Sequence, residues 1–352
     1  VSNARILFIV KFREKYDGSC GYDGTPHSFG GLYYSALLVA QMLNSIGIWA
    51  KVVQVCDNNG IDAAVTAWKP TVVIIEALWV VPTKFVVLQK LHPAVQWVVR
   101  CHSEIPFLAY EGIAMEWLAD YVTYESVSIA SNSSYGTRDF DSLISAANPK
   151  WTTKAVQSKV KYLPNWYDDT PIGLGKVKDE WLDVACFGAV RPLKNQLIQA
   201  LAAVEFARLR KKSLRFHING RVEQNGDGVQ KNLFYLMLET GNELIVHPWE
   251  LRSQFLETLS TMDASMQVSL SETFDITAAD SAVMGIPLVT SDEVVWSSVL
   301  SQAVTTNTAS ILSKLELVTG PREREIAGLN LDGLRAFSAQ SESTWKTFCS
   351  AV

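Results

Sequence analysis

The residues best placed to do chemistry lie in Ser269-Leu-Ser-Glu272-Thr-Phe274-Asp275-Ile276-Thr277-Ala-Ala-Asp280-Ser-Ala-Val-Met-Gly285-Ile-Pro287-Leu-Val-Thr290. The string reads as a strand end, a turn, a helix with the small residues Ala278, Ala279 and Ala282, a glycine stop at Gly285, and a new strand opened by Ile-Pro. Two carboxylates therefore bracket a helix start. A helix N-terminus offers unpaired backbone N–H groups and partial positive charge, which suit a diphosphate. Glu272, on the preceding turn, is placed to accept from sugar hydroxyls, and Asp280, further along, from a ribose. Each acid also has a plainer explanation: Glu272 or Asp275 as a helix cap, Asp280 as a solvated surface acid.

A second set of residues supplies positive charge. In Val184-Ala-Cys-Phe187-Gly188-Ala-Val-Arg191-Pro-Leu-Lys194-Asn-Gln, a strand runs into Gly188, where backbone can approach a ligand closely. Arg191 and Lys194 follow, and can neutralise a departing diphosphate or stand as two isolated surface cations. Gly30-Gly31 precede a helical stretch, and His102 ends the strand Trp97 to Cys101, as a cleft residue, a helix cap or a hydrogen-bonded histidine. Trp249, after Ile245-Val-His247-Pro, can stack on a base or fill a core.

In this order the strings resemble glycosyltransferase family 4 (glycosyl transferases group 1), retaining enzymes of the GT-B fold. The first segment is similar to that family's Glu-x7-Glu signature and following Gly-x-Pro, with Asp280 in place of the second Glu and Asp275 where a Gly is common. The second resembles its Gly-Arg…Lys-Gly element, although Arg191 is two residues removed from Gly188 and the Arg-to-Lys spacing is shorter. Phe216-His-Ile-Asn-Gly220 resembles the family's second strand and its glycine, and Leu163-Pro-Asn165-Trp-Tyr-Asp168 its Pro-Asn-Gly-x-Asp, a mark of architecture only.

The resemblance implies catalytic roles for Glu272, Arg191, Lys194 and His102. It implies donor binding by Gly30, Gly31, Gly188, Phe274, Asp275, Ile276, Thr277, Asp280 and His247. A UDP- or GDP-sugar is the expected donor, and a glycan, lipid or small molecule the expected acceptor. Retention is expected, the leaving phosphate taking the acceptor proton, with neither cofactor nor metal, since the one Asp-x-Asp, Asp139-Phe-Asp141, lies away from every donor motif and nothing about Asp17 and Asp23 implies a metal. Two alternatives stay open. The same chemistry could be directed at modified bases in DNA, as in some viral enzymes, if Arg13, Lys15, Lys84, Lys90 or Arg138 form a basic mouth. Otherwise the chain is a non-catalytic nucleotide-sugar binding module.

The elements that must position these residues follow an alternating strand–helix rhythm, which argues for parallel sheets with crossover helices. Ile6–Val10, Ala50–Val55, Val72–Ile75, Trp97–Arg100 and Val122–Tyr124 read as strands of one doubly wound sheet. Asp183–Phe187, Arg215–Asn219, Leu244–Val246, Ser265–Val268 and Pro287–Thr290 read as strands of another. Leu32–Ile46 has helical spacing and is stopped by Gly47, and the turn-rich segment Arg13 to Gly31 before it has the length of a functional loop. The expected fold class is α/β, a GT-B arrangement of two Rossmann-like domains facing a deep cleft. Residues 1–165 would form the acceptor-side domain and 166–336 the donor-binding domain, with 337–352 crossing back onto the first.

Composition bounds the rest. With 352 residues, 48% hydrophobic and 19% charged, the chain has material for two large cores. A formal net charge of −5 gives no global positive field for a polyanion, which leaves a nucleic-acid acceptor dependent on a local basic patch. The five scattered cysteines, Cys20, Cys56, Cys101, Cys186 and Cys349, read as buried reduced thiols in a reducing compartment. The most apolar run, Thr71 to Pro82, is too short to span a bilayer, and Val1 to Val10 has no signal-peptide pattern, so a cytoplasmic protein without membrane anchor is expected. Oligomeric state is not encoded in any motif.

Overall fold

A computed structural model describes residues 4–12, 30–105, 108, 116–172 and 180–352. The loop positions Arg13, Lys15, Asp17, Cys20 and Asp23 lie outside them. The chain divides into two compact units: residues 4–12, Gly30–Asp168 and Ser338–Val352 make up the first, Asp169–Phe337 the second.

The first unit is built on six parallel strands: β1 (Arg5–Lys11), β2 (Trp49–Val55), β3 (Val72–Glu76), β4 (Gln96–Cys101), β5 (Val127–Ser131) and β6 (Val160–Tyr162), in the order β2-β1-β3-β4-β5-β6. All residues of β3 are buried, as expected of a parallel strand covered on both faces. Alternate residues serve the two faces. Leu7, Ile9, Ile75 and Val99 pack under α2 (Gly60–Trp68), α3 (Lys84–Leu91), α4 (Glu116–Tyr121), α5 (Ser134–Ala147) and α6 (Thr153–Lys159). Ile6, Phe8, Ile74 and Val98 pack under α1 (Gly31–Ser45), which stops at Gly47 with φ +83°.

One expected strand is misplaced. Val122–Tyr124 forms the turn after α4, and the strand begins at Val127, whose amide donates to Tyr124 O. The triplet is β-rich in composition, but Tyr121 and Val122 are buried as the end of a helix rather than as a strand. The short β6 has no counterpart in the sequence reading.

The second unit holds five parallel strands: β7 (Leu182–Ala185), β8 (Leu214–Asn219), β9 (Glu243–His247), β10 (Ala264–Gln267) and β11 (Leu288–Thr290), ordered β11-β10-β7-β8-β9. One face carries Val184, Cys186, Phe216 and Met266 under α7 (Gln196–Arg210), α8 (Asp227–Glu239) and α11 (Thr308–Val318). On the other, Ala185 and Phe187 meet Phe255 and Leu259 of α9 (Arg252–Ser260). The strand order reverses between β7 and β10, so their carboxyl ends form a topological switch point, the usual ligand position in such sheets. The helix α10 (Ile276–Val283) starts just beyond the end of β10.

The last helix, α12 (Glu323–Ser350), belongs to the second unit through Phe337 and to the first from Ser338. Its final turns cover the α1 face of the first sheet. Trp345 is buried against Phe8, with ring centroids 5.7 Å apart, and its indole N–H donates to Pro164 O at 2.9 Å.

Cys101, Cys186 and Cys349 are buried thiols, whereas Cys56 is exposed, which corrects the expectation for that residue. Among the described residues no helix is long and apolar enough to cross a membrane.

Candidate functional site

The site is assembled where β7 and β10 end. Beyond β7 the chain reaches Gly188, whose φ of +115° favours glycine and whose amide donates to Asn219 Oδ1 at 2.8 Å. A single 3-10 turn, Pro192–Lys194, follows and is laced to the segment after β10. Leu270 N donates to Leu193 O at 2.8 Å, Asn195 Nδ2 to Val268 O at 3.1 Å, and Gln199 bonds both Lys194 O and Val268 N. Gln267 Nε2, bonded to Phe187 O at 3.1 Å, ties the two strand ends. These polar side chains carry no motif, and sequence reasoning passed over them.

The lacing presses Lys194 against two carboxylates. Its Nζ stands 2.6 Å from Glu272 Oε1 and 2.9 Å from Asp275 Oδ2. Asp275 also caps α10, its Oδ1 accepting from Ala278 N at 2.9 Å. It does so with φ +62°, in the left-handed region that favours glycine. Burial alone would push Glu272 upward, but the charges of Lys194 and Arg191 and the bonds it accepts hold its carboxyl below the usual range. Asp275 moves the other way: burial and the neighbouring Glu272 raise it, with Lys194 and the Ala278 amide opposing. The Lys194 ammonium, which burial would weaken, is held protonated by Asp275 and Glu272. Lys194, Glu272 and Asp275 are therefore brought together, and Arg191 lies close enough to act on the first two, with its Nη1 bonded to Gln224 Oε1 at 3.3 Å.

Asp280 is not a solvated acid. It is buried on α10 and paired with Arg252 of α9, Nη2 to Oδ1 at 2.5 Å and Nη1 to Oδ2 at 3.4 Å. Ile276 and Thr277 form the first turn of the helix, where amides have no intrahelical acceptor. Phe274 turns its ring into the core against Trp296 and Phe337, so only its backbone remains for a ligand, and its carbonyl already accepts from Trp296 Nε1.

His247 ends a polar line across one face of the second sheet. Asp183 binds Arg215 and His217 Nε2, at 2.6 and 2.9 Å, and His217 Nδ1 lies 2.9 Å from His247 Nε2. Burial, then His217, lowers the proton affinity of His247. Its ring meets Phe187 edge-on, and Trp249 lies under the Arg221 guanidinium at 4.8 Å.

In the first unit, His102 follows β4. Nε2 bonds the buried Glu76, and Nδ1 lies 3.2 Å from Asn132 Nδ2, so both ring nitrogens are engaged. Glu76 is also bound by Arg100, which reaches Leu163 O and Asn165 Oδ1, giving the Pro-Asn turn a structural task. Gly30 caps α1 with ordinary extended backbone, and a Cβ on Gly31 would meet nothing within 4 Å among the described residues. Of the basic residues named for a DNA acceptor, Lys84 bonds Asn59 and Arg138 pairs with Asp139 and lies over Tyr135, while Arg13 and Lys15 are outside the described residues. Among the described residues no group of three His, Cys, Asp or Glu stands where it could hold a metal ion.

No family model matches the chain, and no curated protein matches it. Solved structures do. HepE of Anabaena in complex with UDP and glucose matches with a TM-score of 0.64 at 13% identity, covering 99% of this chain and 100% of that one. A glycosyltransferase from Rickettsia africae gives 0.62 at 10% identity, with 98% and 97% covered. Sucrose-phosphate synthase of Thermosynechococcus elongatus gives 0.66 at 12% identity, with 99% and 100% covered. The chain has the GT-B fold, two Rossmann-like α/β units.

Proposed function

We propose that this chain is a retaining glycosyltransferase that moves a sugar from a UDP- or GDP-sugar to an acceptor hydroxyl. The observation that carries the proposal is the Lys194 ammonium held beside Glu272 at the opening of α10, at the switch point of a GT-B unit. Residues 166–336 would bind the donor, and residues 1–165 with 337–352 would serve the acceptor, a glycan, lipid or small molecule. The neighbours seen with UDP, and in one case with UDP-glucose, support a nucleotide-sugar donor.

In the proposed reaction the bond from the anomeric carbon to the diphosphate breaks while the acceptor oxygen bonds to that carbon from the same face. The acceptor proton passes to the leaving phosphate. Lys194, Arg191 and the amides of Ile276 to Ala278 stabilise the negative charge that develops there, an effect worth most when the donors are fixed in advance. Glu272 holds the sugar hydroxyls, Asp280 with Arg252 faces the ribose, and His247 lies toward the base. Gly188 clears room for the phosphates. His102, with both nitrogens engaged, would contact the sugar as a ring held in a fixed orientation. The two cations take the part of a divalent ion, in a cytoplasmic enzyme.

Transfer or donor hydrolysis, followed across a panel of nucleotide sugars, tests this. Arg191→Ala, Lys194→Ala and Glu272→Ala should each lower turnover by about 100-fold or more, and chelation should leave the wild type unchanged. Arg191 is the half-buried member and keeps the test valid if loss of Lys194 disturbs folding. Binding without turnover on every donor and acceptor would make the chain a nucleotide-sugar binding module instead.

A further inference from the structure

The opening of α10 already holds an anion, and it is part of the chain. Asp275 Oδ1 accepts from Ala278 N, and its Oδ2 accepts from Lys194 Nζ, both at 2.9 Å. An amide of the first helical turn and a buried ammonium are the groups a diphosphate would use there. Asp275 is buried, and it takes up this seat in a left-handed conformation that an unconstrained aspartate seldom adopts. Resting on the donor-site reading above, we propose that Asp275 is the protein's own competitor for the donor diphosphate and a determinant of donor affinity, its carboxylate taking up one proton when the donor binds.

The surroundings make that exchange feasible. Lys194 comes from the 3-10 turn, Glu272 from the segment after β10, the Cys186 thiol from the end of β7 and the Ala278 amide from α10 itself, while Arg191 acts on Lys194 and Glu272. Cys186 is pushed up to about 12 by burial, so it stays neutral. Asp275 is the carboxyl already biased toward the protonated form, by burial first and by Glu272 next, while Glu272 is held ionised. Two further negative charges beside it would extend that bias. Once protonated, Asp275 no longer competes for Lys194, whose ammonium can turn to the phosphates, and Glu272 keeps its charge for the sugar.

The test measures binding of UDP-glucose and of GDP-mannose by calorimetry between about pH 5.5 and about pH 8.5, a range in which a diphosphate diester does not titrate. Asp275→Asn keeps the side-chain cap and tolerates the backbone, and Asp275→Gly, which suits the positive φ, serves if the first variant does not fold. Above the pH at which Asp275 of the free protein ionises, wild-type affinity should weaken by about tenfold per pH unit, the slope that uptake of one proton requires, with that uptake read in buffers of different ionisation heat. Asp275→Asn should bind at least about tenfold more tightly than wild type at the alkaline end, with a flat profile and no proton uptake. Equal slopes and equal proton uptake in wild type and variant overturn the role of Asp275 while leaving the donor site standing. Absence of binding of both donors, in wild type and variant at every pH, overturns the donor site and this role with it.

Discussion

At the level of single residues Glu272 was legible from its place before a helix start and Lys194 from its place after the strand end at Gly188, and the fold brings them within 2.6 Å. Arg252 was not, since an arginine opening an ordinary helix carries no pattern until α9 is laid beside α10 and its guanidinium meets Asp280. The same holds for Asp183 and His217, distant in sequence and adjacent only across strands β7 and β8. Burial would raise the Asp183 carboxyl, but hydrogen bonds from His217 and Arg215 outweigh it and bring it down to about 2. A carboxyl held below its unfolded value contributes stability above that value and loses it as pH falls through the folded one. Asp183→Asn should therefore be less stable than wild type at neutral pH by on the order of 2 kcal/mol, the gap closing as pH falls from about 4 toward about 2, by urea denaturation at each pH.

At the scale of elements, the alternating rhythm was enough to find most strands, because a parallel strand buried on both faces is a short apolar run between helices. It failed where length ran out or composition misled: β6 has three residues, and the β-rich triplet Val122–Tyr124 is the turn that closes a helix. Small residues at close approaches were equally silent. A Cβ at Gly333 on α12 would stand 2.0 Å from Trp296 O, a backbone atom that cannot move aside cheaply. Trp296 is fixed in turn by its indole bond to Phe274 O, next to the start of α10. Gly333→Ala should cost about 2 kcal/mol or more in equilibrium unfolding, as overpacking in a tight contact does.

For the molecule as a whole, the expectation of a GT-B fold rests on motif order along the chain, and two parallel sheets with the likeness to solved GT-B structures bear it out. The last helix was expected to return to the first unit, as Ser338–Val352 do, but only the folded chain reveals that Trp345 completes a core begun by Ile6 and Phe8. Trp345→Ala should remove about 3–5 kcal/mol from the stability of the first unit, by denaturation followed through hydrogen exchange in β1 and β3. The arrangement also bears on synthesis. A chain emerging from the ribosome at roughly 5–20 residues per second usually matures its amino-terminal domain first. Here α1 covers one face of the opening sheet only in part until Ser338–Val352 complete it, so the middle of the polypeptide can reach its native state while the segment made before it is still incomplete.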